Sequence, residues 1–234
     1  MKLKELQIGF IPLVDAAPLI AASEMGFAEE EGLTLTLSRS PSWSTLRDKL
    51  CFGQLDAAHM LAPMPIAGAL DLGGVTTPLH ALAGLSVNGN AIGVSREIGD
   101  RMRAAGHDFG FDNAENAGRA LVGAIKDTLR IGVPFPFSMQ SELVYYWLTA
   151  LGMKGAENIS IQTVPPPMMP DALKAGEIDA FCVGEPWGSS SVESDVADLL
   201  LPCSAIWAFA PEKVLATRAG WAEENQDTAH RLLR

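Results

Sequence analysis

The sequence is poor in residues that several functions depend on. Its 234 residues include three cysteines, four histidines and two tyrosines, with 17 lysines and arginines against 28 aspartates and glutamates. The net charge of −11 argues against direct binding of nucleic acid, because phosphate contacts need clustered Lys and Arg. The same charge repels small anions at long range, so any anion site has to be local and built from a few donors.

Long apolar segments are also missing. No run reaches the roughly 18 apolar residues that a membrane-spanning helix requires, so we expect no membrane insertion. The first ten residues, MKLKELQIGF, show no apolar stretch followed by a small-residue cleavage site. This predicts a cytoplasmic protein, or a periplasmic one if the native chain carries a leader. The helix-like residues 223–234 lack a terminating signal, so we expect the native chain to continue beyond Arg234.

Motifs of enzymes and metal sites are missing as well. Neither the Gly-x-Ser-x-Gly pattern of hydrolases nor a phosphate-binding P-loop occurs, so we expect a protein that is not an enzyme. The histidines have no Cys or carboxylate at metal-ligand spacing, and we expect neither a metal nor a cofactor. His59, between Ala58 and Met60, is interpreted as a structural histidine. The three cysteines lie among apolar residues, which favours buried thiols: Cys51, Cys182 and Cys203.

What is present is an alternation of strand-like and helix-like segments. Residues 6–13 and 33–37 have the apolar pattern of strands, and residues 17–27 between them are helix-like. Ser42 is a candidate N-cap for a helix over 44–52. Further strands are predicted at 79–87, 91–94, 129–133 and 159–164, and a helix at 138–151. The alternation predicts α/β units on mostly parallel sheets.

One corner of the sequence occurs twice. Residues 53–63, GQLDAAHMLAP, and residues 176–186, GEIDAFCVGEP, share Gly, Leu or Ile, Asp-Ala and a final Pro at the same offsets. In each copy the Gly is suited to end a helix in the left-handed conformation, and the apolar residues after Asp-Ala form a buried strand. Two copies indicate two lobes of similar design. Since ligands of open α/β sheets bind beyond the carboxyl ends of strands, the segments after these strands are expected to face a shared cleft.

Several stretches together resemble the nitrate- and bicarbonate-binding components of ABC transporters, the NrtA/CmpA type. They are spread over nearly the whole chain: 11–19 (IPLVDAAPL), 42–50 (SWSTLRDKL), 56–65 (DAAHMLAPMP), 135–138 (FPFS), 146–148 (YWL), 164–167 (VPPP), 181–187 (FCVGEPW) and 211–215 (PEKVL).

The resemblance implies the periplasmic-binding-protein fold of type II, with two α/β lobes, a ligand cleft and two crossovers. We place lobe 1 at residues 1–92 and 205–234, discontinuous and truncated at the C-terminus, and lobe 2 at 93–204.

The resemblance also implies four ligand-binding residues. Trp43 matches the ligand-contacting tryptophan of the family, and Lys213 matches the lysine of its Pro-Glu-Lys stretch. Asn88 stands where the transport proteins carry a glutamine, and Gln140 where they typically carry a histidine. From the residues alone, each has a structural alternative: Trp43 as packing, Asn88 as a turn residue, Gln140 as a helix-start donor and Lys213 as a surface lysine.

One ammonium, two amides and an indole suit a small planar anion such as nitrate or nitrite, which accepts hydrogen bonds only. Bicarbonate also donates an O–H and needs a carboxylate or a bound Ca²⁺; Asp15 and Glu185 are the candidate residues of such a secondary cleft site. No ligand-spaced acidic cluster is visible, which favours nitrate or nitrite. Because Gln140 replaces a histidine, we predict an affinity that is nearly independent of pH between about 5.5 and 8.

The N-terminal sequence and the resemblance together predict a cytoplasmic nitrate sensor of the NasS type, whose partner is an RNA-binding antiterminator-type regulator. The alternative is the solute-binding component of an ABC transporter for nitrate or bicarbonate, whose partner is a permease. A related ligand, an organosulfonate or a thiamine precursor, needs a larger aromatic pocket. An enzyme is the lowest-ranked alternative.

Overall fold

The computed structural model describes residues 3–72, 74 and 77–234. Its strands are β1 Lys4–Phe10, β2 Leu33–Arg39, β3 Ala57–Leu61, β4 Leu79–Val87, β5 Asn90–Ser95, β6 Leu129–Val133, β7 Ile159–Thr163, β8 Ala180–Gly184, β9 Ala197–Pro202 and β10 Pro211–Arg218. Its helices are α1 Ala17–Glu24, α2 Phe27–Glu30, α3 Trp43–Cys51, α4 Pro63–Ala69, α5 Arg96–Ala104, α6 Ala114–Ala124, α7 Met139–Ala150, α8 Gly155–Asn158, α9 Met169–Lys174, α10 Trp187–Glu193, α11 Trp221–Glu224 and α12 Gln226–Leu232. Within these described ranges, no helix combines the length and apolarity that crossing a bilayer demands.

The chain folds into two compact units. Unit 1 consists of Met1–Val87 and Pro211–Arg234, and unit 2 consists of Asn88–Ala210. The chain therefore passes from one unit to the other twice, after Val87 and after Ala210. Each unit holds one five-stranded mixed sheet.

The sheet of unit 1 has the strand order β2-β1-β3-β10-β4. Strands β1, β2 and β3 are parallel, and β10 is antiparallel to both of its neighbours. Alternate residues of the first two strands point to one buried face, and the core there is formed by Leu6, Ile8, Leu33, Leu35, Ala57 and Leu215. The carboxyl ends of β1, β2 and β3 consequently lie at the same edge as the first residues of β10.

The sheet of unit 2 has the equivalent order β7-β6-β8-β5-β9. Strand β6 is parallel to β7 and β8, whereas β5 is antiparallel to β8 and β9. Asn90, the first residue of β5, therefore pairs with Gly184, the last residue of β8. The buried core beside this sheet includes Ile92, Val94, Ile131, Val133, Leu143 and Trp147.

The repeated corner has the same structure in both units. Gly53 and Gly176 have φ of +75° and +67°, a conformation that glycine adopts without steric cost. The carboxylate of the following Asp accepts a backbone N–H of the neighbouring strand: Asp56 from Gln7 at 2.8 Å, and Asp179 from Arg130 at 2.9 Å. The strand that follows, β3 or β8, is central in its sheet. The expectation of two α/β lobes of similar design is confirmed.

The unit boundaries lie a few residues from the predicted ones, which were 92/93 and 204/205. Residues 88–92 belong with unit 2 because β5 pairs with β8 and β9. Residues 205–210 also remain with unit 2, where the Asn88 N–H donates to the Ala210 carbonyl at 2.9 Å. The turn-forming residues 88–90 thus join two different sheets and do not close a hairpin.

All three cysteines are thiols in the structure. Cys182 and Cys203 are buried in unit 2 with their sulfurs 3.4 Å apart, and Cys51 is partly buried. Burial raises the pKa of the Cys51 thiol, which makes it a poor nucleophile at neutral pH.

Candidate functional site

The carboxyl edge of the unit 1 sheet brings together four side chains from distant parts of the sequence. Asp15 lies in a short helical turn after β1, and Trp43 is the first residue of α3 after β2. His59 lies in β3, and Lys213 lies in β10 opposite Leu61, two pairs away from His59. They meet because β1, β2 and β3 run in parallel and β10 enters this edge from the opposite direction.

Lys213 is the centre of this cluster. Its ammonium lies 2.7 Å from Asp15 Oδ2, in direct contact with Glu212 Oε1, and 5.5 Å from the centroid of the Trp43 ring. Lys213 is fully buried, and so is Glu212. Burial disfavours the charged ammonium, but Glu212 and Asp15 outweigh it, so that the pKa of Lys213 is raised.

His59 completes the cluster from β3. Its ring lies 5.7 Å from the Trp43 ring, and its Nε2 lies 2.9 Å from Asp15 Oδ1, although the two groups are not aligned as a hydrogen bond. Burial lowers the pKa of His59, and Asp15 offsets that effect only in part. For Asp15, burial tends to raise the pKa, but His59 and Lys213 lower it overall. At neutral pH the cluster therefore contains a carboxylate, an ammonium and an uncharged imidazole.

Two buried donors at the same edge have no hydrogen-bond partner among the described residues. They are Trp43 Nε1 and Ser40 Oγ, and each side chain is about 1% exposed. At the start of α3, beside these donors, the Thr45 N–H donates to Ser42 Oγ at 3.2 Å, as the predicted N-cap role of Ser42 requires. A buried unsatisfied donor costs about 1–3 kcal/mol, and a ligand oxygen at this position would recover that cost.

The carboxyl edge of the unit 2 sheet carries a neutral amide pair. Gln140, the second residue of α7, donates from Nε2 to Asn90 Oδ1 at 2.8 Å, and both side chains are buried. The N-cap of α7 is Ser138, whose Oγ accepts the Ser141 N–H at 3.2 Å. Gln140 therefore lies at a helix start, as the sequence predicts.

Asn88 and Glu185 have other contacts in unit 2. Asn88 has φ of +56°; its Nδ2 donates to the Ala208 carbonyl at 2.8 Å, and its Oδ1 accepts the Ala210 N–H at 3.0 Å. These two hydrogen bonds connect the Asn88 side chain to the backbone of Ala208 and Ala210, just before the chain returns to unit 1. Glu185, directly after β8, accepts the Ser189 N–H at 3.0 Å near the start of α10.

Of the residues predicted from sequence, Trp43, Lys213 and Asp15 come together in unit 1. The sequence reasoning missed Glu212 and Asn90, and it interpreted His59 as structural only. A Glu-Lys pair directly before the apolar residues of β10 was a signal for Glu212, and a polar residue opening the apolar run of β5 was a signal for Asn90. In the described part of the chain, no three His, Cys, Asp or Glu side chains are arranged to hold a metal ion.

Comparison with known proteins gives concordant results. The chain is 37% identical over 221 residues to the nitrate import ATP-binding protein NrtC of Synechocystis, which covers 94% of this chain and 32% of NrtC. It is 33% identical over 232 residues to the nitrate/nitrite binding protein NrtA of Nostoc, which covers 97% of this chain and 51% of that protein. The crystal structure of the periplasmic nitrate-binding protein NrtA from Synechocystis superposes with a TM-score of 0.86 at 32% identity, over 99% of this chain and 60% of that one.

The chain thus spans about a third to a half of these curated relatives. The similarity to NrtA confirms the periplasmic-binding-protein fold, and these relatives are binding and transport proteins, which supports the expectation that the chain is not an enzyme. The NMT1-like family model matches residues 1–234. The chain therefore belongs to the NMT1-like family, in the part of it that resembles the NrtA/CmpA nitrate- and bicarbonate-binding proteins.

Proposed function

We propose that this chain binds a small planar oxyanion, nitrate or nitrite by preference, at the carboxyl edge of the unit 1 sheet and acts as the solute-binding part of an ABC transport system. The observation that carries the proposal is the pair of buried donors without partners, Trp43 Nε1 and Ser40 Oγ, at the edge where Lys213 lies. Relatives named for nitrate import and nitrate/nitrite binding support the choice of ligand.

The donor set matches the chemistry of nitrate. Nitrate is planar and carries one charge over three acceptor oxygens, so that it needs donors in several directions and no acceptor. Unit 1 offers the Lys213 ammonium, the Trp43 indole N–H and the Ser40 hydroxyl.

Bicarbonate is the second candidate ligand, because Asp15 places a carboxylate 2.7 Å from the Lys213 ammonium. Such a carboxylate is able to accept the bicarbonate O–H. Asp15 Oδ2 contacts the Lys213 ammonium, and Oδ1 lies 2.9 Å from His59 Nε2 without forming an aligned hydrogen bond. We rank bicarbonate below nitrate and nitrite because the relatives named above are named for nitrate import and nitrate/nitrite binding.

The relatives named above favour transport over the sensor role that the resemblance and the N-terminal sequence led us to expect. In this proposal the partner is an ABC permease; an RNA-binding regulator as partner has no support from the site.

Titration calorimetry tests the proposal with nitrate, nitrite, bicarbonate and sulfate, added separately to the purified chain. We expect saturable one-site binding of nitrate and nitrite, and weaker binding of bicarbonate. Asn88→Ala is expected to leave the nitrate affinity within about threefold, because its amide is occupied by backbone groups. Flat traces for all four anions would refute oxyanion binding.

A further inference from the structure

The positive charge of Lys213 is already compensated within its cluster. The Lys213 ammonium lies 2.7 Å from Asp15 Oδ2 and in direct contact with Glu212 Oε1. The charges of the ammonium and of the Asp15 carboxylate cancel, so the cluster offers an arriving ligand no net positive charge.

A monoanion that reaches Lys213 leaves this buried environment with a net negative charge. Like charges repel more strongly in a protein interior than in water, because the effective dielectric constant is lower. Hydrogen bonds from Trp43 and Ser40 offset part of this repulsion without changing the charge. The charge balance improves only if the cluster gains a proton.

His59 is the group placed to take that proton. Its side chain is fully buried, Nε2 faces Asp15 Oδ1 at 2.9 Å, and Nδ1 has no hydrogen-bond partner among the described residues. A neutral imidazole carries one N–H, and when that hydrogen faces Asp15, Nδ1 presents a lone pair. A lone pair repels an anion. Protonated at Nδ1, the same ring offers a donor and a positive charge.

The elements around His59 hold few other ionisable groups. The charged groups that act on it are Asp15, Lys213 and Glu212. On α3, Arg47 and Asp48 pair with each other at 2.9 Å, and Lys49 lies in the last turn. Helix α4 has the sequence PMPIAGA, and the β1 residues paired beside His59 are Ile8 and Gly9, so neither element adds a charge there.

We propose that oxyanion binding at Lys213 is coupled to the uptake of one proton, which His59 accepts at Nδ1. This inference rests on the proposed function, since it concerns the same site. Because burial lowers the pKa of His59 in the free chain and a bound anion raises it, there is a pH window between the two values. Within that window the affinity falls as the pH rises, by up to about tenfold per pH unit. This replaces the pH-independent affinity expected from Gln140.

The test is calorimetry with sodium nitrate on the 234-residue chain, in buffers of different ionisation enthalpy at about pH 6, 7 and 8. We expect a heat that depends on the buffer and corresponds to the uptake of up to about one proton per nitrate at one or more of these pH values. His59→Gln and His59→Asn should bind nitrate without proton uptake, with an affinity that is flat across the range. His80→Gln, at an exposed position of β4, is the matched control and should keep the uptake.

Each of the following results overturns the inference. Nitrate binding by the native chain with no proton uptake at any pH refutes the coupling and leaves the proposed function intact. Uptake that persists in both His59 variants assigns the proton to another group. Absence of nitrate binding by the native chain removes the proposed function and the inference with it. If both variants fail to fold, the His59 imidazole nitrogen resonances of the native chain decide: they must move toward the protonated form on nitrate addition, and unmoved resonances contradict the proposal.

Discussion

The carboxyl edges of the two sheets have equivalent topology and different chemistry. In unit 1 the edge gathers ionisable groups, Asp15, His59 and Lys213, beside the indole of Trp43. In unit 2 the edge carries the neutral pair of Gln140 and Asn90. The repeated corner determines where the side chains that follow the strands come together. The residue types at those positions determine whether the edge carries charged groups or only neutral hydrogen-bonding groups.

The two edges should also differ in how much a substitution lowers the free energy of unfolding. Removing one partner from a buried ion cluster strands a charge, which typically costs about 3–5 kcal/mol. Breaking a neutral buried hydrogen bond leaves a polar group unsatisfied, which costs about 1–3 kcal/mol. We therefore expect substitutions at the unit 1 edge to destabilise the chain more than those at the unit 2 edge.

Lys213→Met is expected to have the largest effect. It leaves Asp15 and Glu212 without their shared cation and should lower the free energy of unfolding by about 3–5 kcal/mol, measured by urea denaturation. The control is Lys154→Met. Lys154 is exposed, and its ammonium forms only a long ion pair of 3.7 Å with the exposed carboxylate of Glu157, so this substitution should change stability by less than about 0.5 kcal/mol. Equal effects of the two substitutions would contradict the picture of a buried charged cluster.

Asp15→Asn tests the same cluster through pH. The pKa of Asp15 is lowered in the folded chain, so its carboxylate adds stability above its ordinary pKa, and that stability is lost as the pH falls through the folded-state value. The variant should be less stable than the native chain by about 1–3 kcal/mol at pH 7, and the gap should close below about pH 4. The exposed Asp127→Asn serves as the control. A gap that stays constant from pH 7 to pH 3 would argue against an ionised Asp15.

Gln140→Leu probes the neutral edge and should cost about 1–3 kcal/mol of stability through loss of the bond to Asn90. The double variant with Asn90→Ala should cost less than the sum of the two single substitutions, because the two side chains share one interaction. Gln162→Leu, at an exposed position of β7, is the control. Additive effects of the two substitutions would show that the pair is not coupled.

Much of the fold follows from local sequence patterns. The repeated glycine corner, the N-cap at Ser42 and the alternation of strands with helices predicted two α/β units, because each depends on residues close in sequence. The predicted unit boundaries differ from the observed ones by a few residues, because the pairing of β5 with β8 and β9 joins residues that are far apart in the chain.

The site was predictable only in part, for the same reason. The family resemblance led to Trp43 and Lys213, but their proximity depends on β10 pairing with β3, which no local pattern encodes. Asn88 was predicted because it stands where the transport proteins carry a glutamine, whereas the start of β5 places Asn90, on the other side of Gly89, beside Gln140. The proximity of Asp15 and His59 was not predicted, because nothing in the sequence places Asp15 against the His59 ring.

The most direct test of the central claim, that an oxyanion binds at the charged edge of unit 1, is to follow the indole N–H resonances of the five tryptophans by NMR during a nitrate titration. We predict that one indole resonance moves markedly and saturates, and that this resonance is missing in Trp43→Phe, which should also bind nitrate about tenfold more weakly. Trp147→Phe is the matched control: its Nε1 already donates to the Ala114 carbonyl at 2.7 Å, so it should leave the nitrate affinity unchanged. If all five resonances stay in place at high nitrate concentration, or if the resonance that moves persists in Trp43→Phe, the claim is contradicted.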